Sequence, residues 1–155
     1  MRAKDVANAG IIRPPLIFLF SLLLGIIVDH QWPLRMSFGV AMQFMSAIML
    51  FGGGIVFVLA CREFQLAATP IPGNKPAAAV VGTGVFRISR NPIYLAFSSM
   101  HLAAVFWTQS LWLAASLVVA LLFINRVVIP REESYMERKF GEEYTEYKKR
   151  VRCWL

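Results

Sequence analysis

Apolar residues occur in four runs along this 155-residue chain, and a strongly charged tail follows the last run. The runs cover residues 11–28, 38–60, 93–107 and 111–129. The second run is 23 residues long and uncharged, so a helix rising about 1.5 Å per residue would carry it across a hydrocarbon core of about 30 Å. Only three residues separate the third and fourth runs, which predicts a tight helical hairpin.

The composition indicates a membrane protein. Hydrophobic residues make up 57% of the chain and charged residues 16%, whereas a soluble domain has about 25% charged residues. We therefore predict an all-α integral membrane bundle of about four transmembrane helices plus a cytoplasmic amphipathic C-terminal helix. With no internal repeat or low-complexity tract, residues 1–155 are expected to form a single domain.

The charge distribution predicts how the bundle is oriented. The net charge is +7, and fifteen of the sixteen lysines and arginines lie in the N-terminal segment, the second connection or the tail, with Arg35 alone on the other side. By the positive-inside bias, both termini and residues 62–90 should be cytoplasmic. The same bias accounts for the basic composition, so we expect no nucleic acid partner.

The tail has a helical repeat of apolar positions. One interpretation is an amphipathic helix lying on the membrane surface, with basic residues meeting anionic headgroups. That interpretation does not explain Glu132 and Glu133, because acids are not attracted to anionic lipid and need a partner where water is scarce. The repeat consists of Met136, Phe140, Tyr144, Tyr147, Val151 and Trp154, and the basic residues are Lys148, Lys149, Arg150 and Arg152.

The segment Gly82–Phe97, GTGVFRISRNPIYLAF, is the second unusual stretch. If the hairpin turn centres on Gln109, antiparallel packing places Asn91 level with Val127 and brings Arg90 close to Glu132 and Glu133. The alternative is an ordinary helix start, with Asn91 capping the third helix and Pro92 at its first position.

Few other residues indicate chemistry. The sequence has no Cys/His cluster with metal-ligand spacing and no phosphate-binding glycine loop before a strand, so no metal is expected. His101 lies in the middle of the third run, where an interhelical hydrogen bond explains it better than catalysis does.

The segment TGVFRISRNPIYLAF, followed across a hydrophobic hairpin by REESYMERKFGEEYTEYKKRV, resembles the membrane methyltransferase superfamily. That superfamily includes isoprenylcysteine carboxyl methyltransferases and phospholipid N-methyltransferases. The resemblance covers Ala77 to Val151. It implies a multispan helical enzyme that binds S-adenosylmethionine between the hairpin and the C-terminal helix, in the bacterial inner membrane with a cytoplasmic active site.

The resemblance also implies which residues bind the cofactor. Glu132 would reach its polar groups, and Arg90 would hold a carboxylate, either the cofactor's or that of a neighbouring glutamate. Phe86 stands where the family commonly has tyrosine, so a phenol hydrogen bond is lost there. The full cofactor set is Val80, Val81, Gly84, Phe86, Arg90, Asn91, Pro92, Tyr94, Glu132 and Glu133.

Two departures concern the methyl acceptor. The isoprenylcysteine branch has histidine before the proline and arginine four residues before the cofactor-binding glutamate, whereas this chain has Asn91 and Val128. Arg126 and Arg131 are the candidates to orient a substrate in their place. The expected acceptor is lipophilic, either an isoprenylcysteine-like carboxylate or thiol or a phospholipid amine. The alternative is a non-catalytic four-helix membrane protein that binds lipid or a partner.

Overall fold

The structure is a computed structural model, which describes residues 13–37, 39–70 and 76–155. These residues form helices and no strand beyond a single bridge between Arg35 and Ser110, which confirms the all-α prediction. The helices are α1 (Pro14–Gln31), α2 (Ala41–Leu66), α3 (Pro92–Thr108), α4 (Leu111–Phe123), α5 (Ile129–Phe140) and α6 (Glu142–Arg150), with a 3-10 turn at Gly84–Arg87 and a π turn at Ile124–Val128.

Among the residues that the structure describes, three helical stretches are long and apolar enough to cross a membrane: α1, α2 and the continuous stretch Leu111–Phe140. Helix α3 has 17 residues and lies against α2. The lipid-facing side of α2 is strongly apolar, with Phe44 70% and Phe51 69% exposed. The protein is therefore a helical membrane bundle, in which three helices meet the length expected of a full span.

Two glycines set how closely the helices approach. A Cβ atom on Gly53 of α2 would lie 2.9 Å from the Ala96 carbonyl oxygen of α3, and one on Gly25 of α1 would lie 2.7 Å from Ser116 Oγ of α4. Both distances are too short for a side chain, so α2 packs on α3 and α1 packs on α4 through small residues, as is usual in bilayers.

The connections at one end of the bundle are joined by polar contacts. Asp29 accepts a hydrogen bond from Ser110 Oγ at 2.7 Å and pairs with Arg35 at 2.9 Å. Arg35 also donates to the Thr108 carbonyl oxygen at 2.8 Å. We call Asp29, Arg35 and Ser110 the far-end lock, because the functional residues predicted above lie at the other end.

The helix formed by the fourth apolar run continues beyond the end of that run. Helix α4 continues through the π turn into α5, so one helical rod runs from Leu111 to Phe140. Pro130 lies in the first turn of α5, and its missing N–H and its ring disturb the preceding helical turn. The wider π turn accommodates this disturbance.

The tail forms two helices rather than the single helix that its apolar repeat predicted. Gly141 separates α5 from α6 with a φ of +55°, a conformation that favours glycine. The apolar positions turn inward, and Tyr144, Tyr147 and Val151 form a buried cluster. The repeat that suggested a membrane-facing surface is thus packed inside the protein.

Candidate functional site

A cleft opens at the end of the bundle opposite the far-end lock, between the start of α3, helices α5 and α6, and the chain that precedes the 3-10 turn. Nine of the ten residues predicted to bind the cofactor line it, and Gly84 is the one that does not. The nine are Val80, Val81, Phe86, Arg90, Asn91, Pro92, Tyr94, Glu132 and Glu133.

Tyr94 and Glu132 form the polar centre of the cleft. The Tyr94 hydroxyl lies 2.8 Å from both carboxylate oxygens of Glu132. Tyr94 is in the first turn of α3 and Glu132 in the first turn of α5, so the hairpin brings together residues that are 38 positions apart. This hydrogen bond joins the start of α3 to the start of α5.

Arg90 binds protein groups on the α6 side of the cleft. Its Nη2 donates to Glu133 at 2.6 Å, and its Nη1 donates to the carbonyl oxygens of Lys148 at 3.0 Å and Val151 at 2.7 Å. The carboxylate that Arg90 holds in this structure is therefore that of a neighbouring glutamate. The guanidinium also caps the C-terminal end of α6, where free carbonyls need donors.

Glu133 has a second cationic partner. Lys148 Nζ lies 2.7 Å from its other carboxylate oxygen and 2.9 Å from Glu137. These two acids raise the pKa of the Lys148 ammonium above its usual value. Lys148, predicted to meet lipid headgroups, is instead bound within the protein, and Glu133 serves mainly to join α5 to α3 and α6.

Asn91 stands at the start of α3, but its side chain makes no capping hydrogen bond. Its amide donates to the Cys153 carbonyl oxygen at 3.0 Å, and the Arg90 backbone N–H donates to the Arg152 carbonyl oxygen at 3.0 Å. The helix-start alternative is therefore right about Pro92, which lies in the first turn, and wrong about a capping role for the Asn91 side chain.

The 3-10 turn places an aromatic ring in the cleft. Gly84 has a φ of +53°, and a Cβ atom there would clash with a carboxylate oxygen of Glu63. Thr83 donates a hydrogen bond to the same carboxylate group, which fixes the turn on α2. The Phe86 ring then packs edge-on against Phe64 with centroids 5.1 Å apart. Gly84 thus shapes the turn without lining the cleft.

The sequence analysis did not predict that tyrosines form one wall of the cleft. All four tyrosines of the chain line the cleft: Tyr94, Tyr135, Tyr144 and Tyr147. Tyr135 Oη accepts the Ala77 N–H at 3.2 Å, and Tyr147 Oη donates to the Phe86 carbonyl oxygen at 2.8 Å. Burial raises the pKa of Tyr147 to about 12. The clustering of all tyrosines in the two motif segments was the signal available in the sequence.

The two arginines predicted to orient a substrate lie elsewhere. Arg126 belongs to the π turn and Arg131 to α5, and both side chains are exposed and outside the cleft lining. Arg90 is the only cation among the lining residues that the structure describes.

A second cavity lies in the membrane-spanning part of the bundle, between α1, α2 and α3, and we call it the membrane groove. Pro15 of α1 lines both the groove and the cleft. His101 lies on the groove, and its Nε2 is 3.3 Å from Ser116 Oγ of α4, which confirms the predicted interhelical hydrogen bond. Within residues 13–37, 39–70 and 76–155, no group of three or more His, Cys, Asp or Glu residues is arranged to hold a metal ion.

Comparison with known proteins gives the family. The model of the family described as "Phospholipid methyltransferase" matches residues 42–143. An uncharacterized protein of Haemophilus influenzae is 45% identical over 64 residues, which cover 38% of this chain and 98% of that protein. No solved structure matches the chain significantly. The matched residues include α2, the 3-10 turn, the hairpin and the cleft acids, and the superfamily resemblance is confirmed. The chain belongs to the phospholipid methyltransferase family of membrane proteins.

Proposed function

We propose that this protein is an S-adenosylmethionine-dependent methyltransferase that acts on a lipophilic substrate at the cleft. The observation that carries the proposal is that one cleft unites nine residues predicted from two separate sequence motifs. The family match supports methyl transfer in a membrane. The identities of the methyl donor and the methyl acceptor go beyond that match and belong to this proposal.

The residues of the cleft fit the chemical groups of this cofactor. S-adenosylmethionine carries a sulfonium and an ammonium, and the cleft offers the Glu132 carboxylate among aromatic faces, which attract cations. The adenine is planar and apolar on its faces, and Val80, Val81 and Phe86 provide an apolar wall. Such a mixture of apolar lining and a few polar groups is typical of small-molecule sites.

Methyl transfer requires the protein mainly to position the two reactants. When bound, the cofactor supplies an electrophilic methyl group that is transferred by in-line displacement. The protein's residues hold the two reactants in line and exclude water. Tyr94 and Glu132 are held rigidly at the start of their helices, as positioning requires.

The charges in the cleft favour a phospholipid amine as the acceptor over a carboxylate. Arg90, the one cation among the described lining residues, is already bound to Glu133 and to two carbonyl oxygens. A carboxylate substrate would therefore find the Glu132 carboxylate and no available cation, whereas an amine would find Glu132 and aromatic rings. Pro15 lines both the membrane groove and the cleft, so the two cavities are neighbours, which suits an acceptor whose chains lie in the bilayer.

Cofactor binding is the experiment that tests the proposal. We expect the purified protein, in detergent or lipid, to bind S-adenosylmethionine and its demethylated product by calorimetry. Glu132→Ala and Glu132→Gln should each weaken binding by about ten- to a hundredfold, which corresponds to the loss of one charge-assisted interaction of roughly 1.5–3 kcal/mol. Glu132→Gln keeps an acceptor for the Tyr94 hydroxyl, so it isolates the contribution of charge.

Two exposed residues provide controls. Glu143→Gln makes the same chemical change on α6 outside the cleft lining, and Lys149→Ala removes a cation whose partner is the exposed Glu146. Neither should change the affinity appreciably. Folded wild-type protein that binds neither form of the cofactor would contradict the proposal and favour the non-catalytic scaffold. Binding without methylation of aminophospholipids would contradict only the choice of acceptor.

A further inference from the structure

Tyr144 differs from the other tyrosines of the cleft. It lies in the first turn of α6, is 6% exposed and lines the cleft. Its ring packs in the cluster that includes Val80 and Met136, with its centroid 6.0 Å from that of Tyr147. The side chain is thus held in one place by apolar contacts.

The Tyr144 hydroxyl makes no hydrogen bond to any residue that the structure describes. By contrast, Tyr94 donates to Glu132, Tyr135 accepts from Ala77, and Tyr147 donates to the Phe86 carbonyl oxygen. Arg90 Nε and His101 Nδ1 are the fully buried side-chain atoms without a partner among the described residues, and the Tyr144 hydroxyl is not one of them, so it faces the open cleft. Three of the four hydroxyls are therefore used by the fold, and the fourth is available to a ligand.

The ionisation state of Tyr144 fits a donor. Burial, and next the nearby Glu133 carboxylate, raise the pKa of this phenol well above its usual value. The group therefore keeps its proton throughout the physiological range. A protonated phenol in this position can donate to an oxygen or nitrogen acceptor on a ligand.

The position of Tyr144 in the cleft indicates which part of a ligand it meets. The Tyr94 and Glu132 pair lies on the side that packs against the core of α1, α3 and α4. Pro15 of α1 lines both the cleft and the membrane groove. The cationic part of the cofactor and a methyl acceptor from the membrane would meet there. Tyr144 lies on the other side, against Val80 and Met136, and the Glu133 carboxylate near it is already bound by Arg90 and Lys148. That side suits a planar base and its sugar.

From this arrangement, and resting on the proposed function, we propose that the Tyr144 hydroxyl donates a hydrogen bond to the nucleoside half of S-adenosylmethionine. The phenol ring, fixed by Val80 and Met136, sets the position of that donor. Tyr144 is then a cofactor-recognition residue contributed by the tail, in addition to the ten residues of the predicted cofactor set.

Binding of two ligands to matched variants tests the assignment. S-adenosylhomocysteine contains both halves of the cofactor product, whereas 5′-methylthioadenosine contains the nucleoside and lacks the amino acid. Tyr144→Phe should weaken both by about three- to tenfold, the value of one neutral hydrogen bond. The thermal unfolding midpoint of the ligand-free protein should stay unchanged, because no bond of the fold is lost.

Tyr147→Phe is the matched control, since it removes a hydroxyl that the fold itself uses. It should lower the thermal midpoint and leave the ratio of the two ligand affinities unchanged. Loss of S-adenosylhomocysteine affinity without loss of 5′-methylthioadenosine affinity in Tyr144→Phe would overturn the nucleoside assignment. Unchanged affinity for both ligands would overturn any ligand role of Tyr144. Wild-type protein that binds neither ligand would overturn the proposed function, and this inference with it.

Discussion

The two ends of the bundle both hold buried polar side chains, but they use them differently. In the far-end lock, Asp29 is bound by Ser110 and Arg35, and Arg35 also holds a backbone carbonyl. The Trp112 indole adds a bond of 2.7 Å to the Trp32 carbonyl oxygen. These contacts connect the first loop to the hairpin turn, and the polar groups satisfy one another.

The cleft end contains more polar groups than it satisfies internally. The Tyr144 hydroxyl has no partner among residues 13–37, 39–70 and 76–155, and Arg90 Nε is buried there without a hydrogen bond. An open cavity runs between these groups. This difference distinguishes a polar cluster that stabilises the fold from one that binds a ligand. A structural cluster satisfies its own hydrogen bonds, and a binding site leaves some of them for the ligand.

The largest contrast between the two ends should be their accessibility from outside the cell. In a background without Cys61 and Cys153, a single cysteine at position 34 should react with a membrane-impermeant reagent applied to intact cells, and one at position 87 should not. Both positions are exposed in the structure. From the positive-inside bias we expect the arginine-rich cleft end to face the cytoplasm. Labelling at position 87 and protection at position 34 would reverse the assignment.

Arg90→Ala should cause the largest loss of stability at the cleft end. The side chains of Arg90 and Glu133 are 10% and 15% exposed, so removing the cation leaves a nearly buried carboxylate with Lys148 alone. We expect a loss of about 3–5 kcal/mol, a faster hydrogen exchange in residues 142–150 and a weaker affinity for the cofactor product. Arg87→Ala, an exposed arginine in the 3-10 turn, should change none of the three. Unchanged exchange in α6 would contradict the capping role of Arg90.

Asp29→Ala should destabilise the protein without changing the cleft. The Ser110 hydroxyl loses its acceptor and Arg35 loses its carboxylate, which should cost about 1–3 kcal/mol. Asp29→Asn keeps an acceptor for Ser110 and should cost less. Affinity for S-adenosylhomocysteine, measured below the unfolding temperature, should equal that of the wild type. A matching loss of affinity would show that the two ends are coupled.

The smallest effect concerns alkaline pH. Burial raises the pKa of Tyr147 to about 12, so above pH 10 the unfolded chain releases this proton before the folded chain does. Stability contributed by Tyr147 is therefore present below pH 10 and is lost as the pH rises toward 12. Thermal midpoints across that range should fall less steeply in Tyr147→Phe than in the wild type. Parallel curves would contradict this origin of the alkaline sensitivity.

The sequence predicted the membrane helices and the meeting of Arg90 with Glu133 because these depend on apolar runs and on the length of a hairpin. It did not predict the inward orientation of the tail. An apolar face of a helix is compatible with lipid or with protein, and only the break at Gly141, which folds α6 back over the cleft, decides between them. The sequence also could not predict all the partners of Arg90. Two of them are backbone carbonyl oxygens, and these are free to accept its hydrogen bonds because α6 ends at Arg150.

The π turn in the rod from Leu111 to Phe140 has a consequence for the angular phase of its two halves. A π turn contains one residue more than regular α-helix, and each residue advances the helix by about 100°. If the same five residues, Ile124–Val128, were regular α-helix with none deleted, α5 would be rotated by about that angle relative to α4. Glu132 would then leave the side occupied by Tyr94. The π turn thus sets the rotation of α5 relative to α4. As a result, α4 packs among lipid and neighbouring helices while Glu132 of α5 points into the cleft.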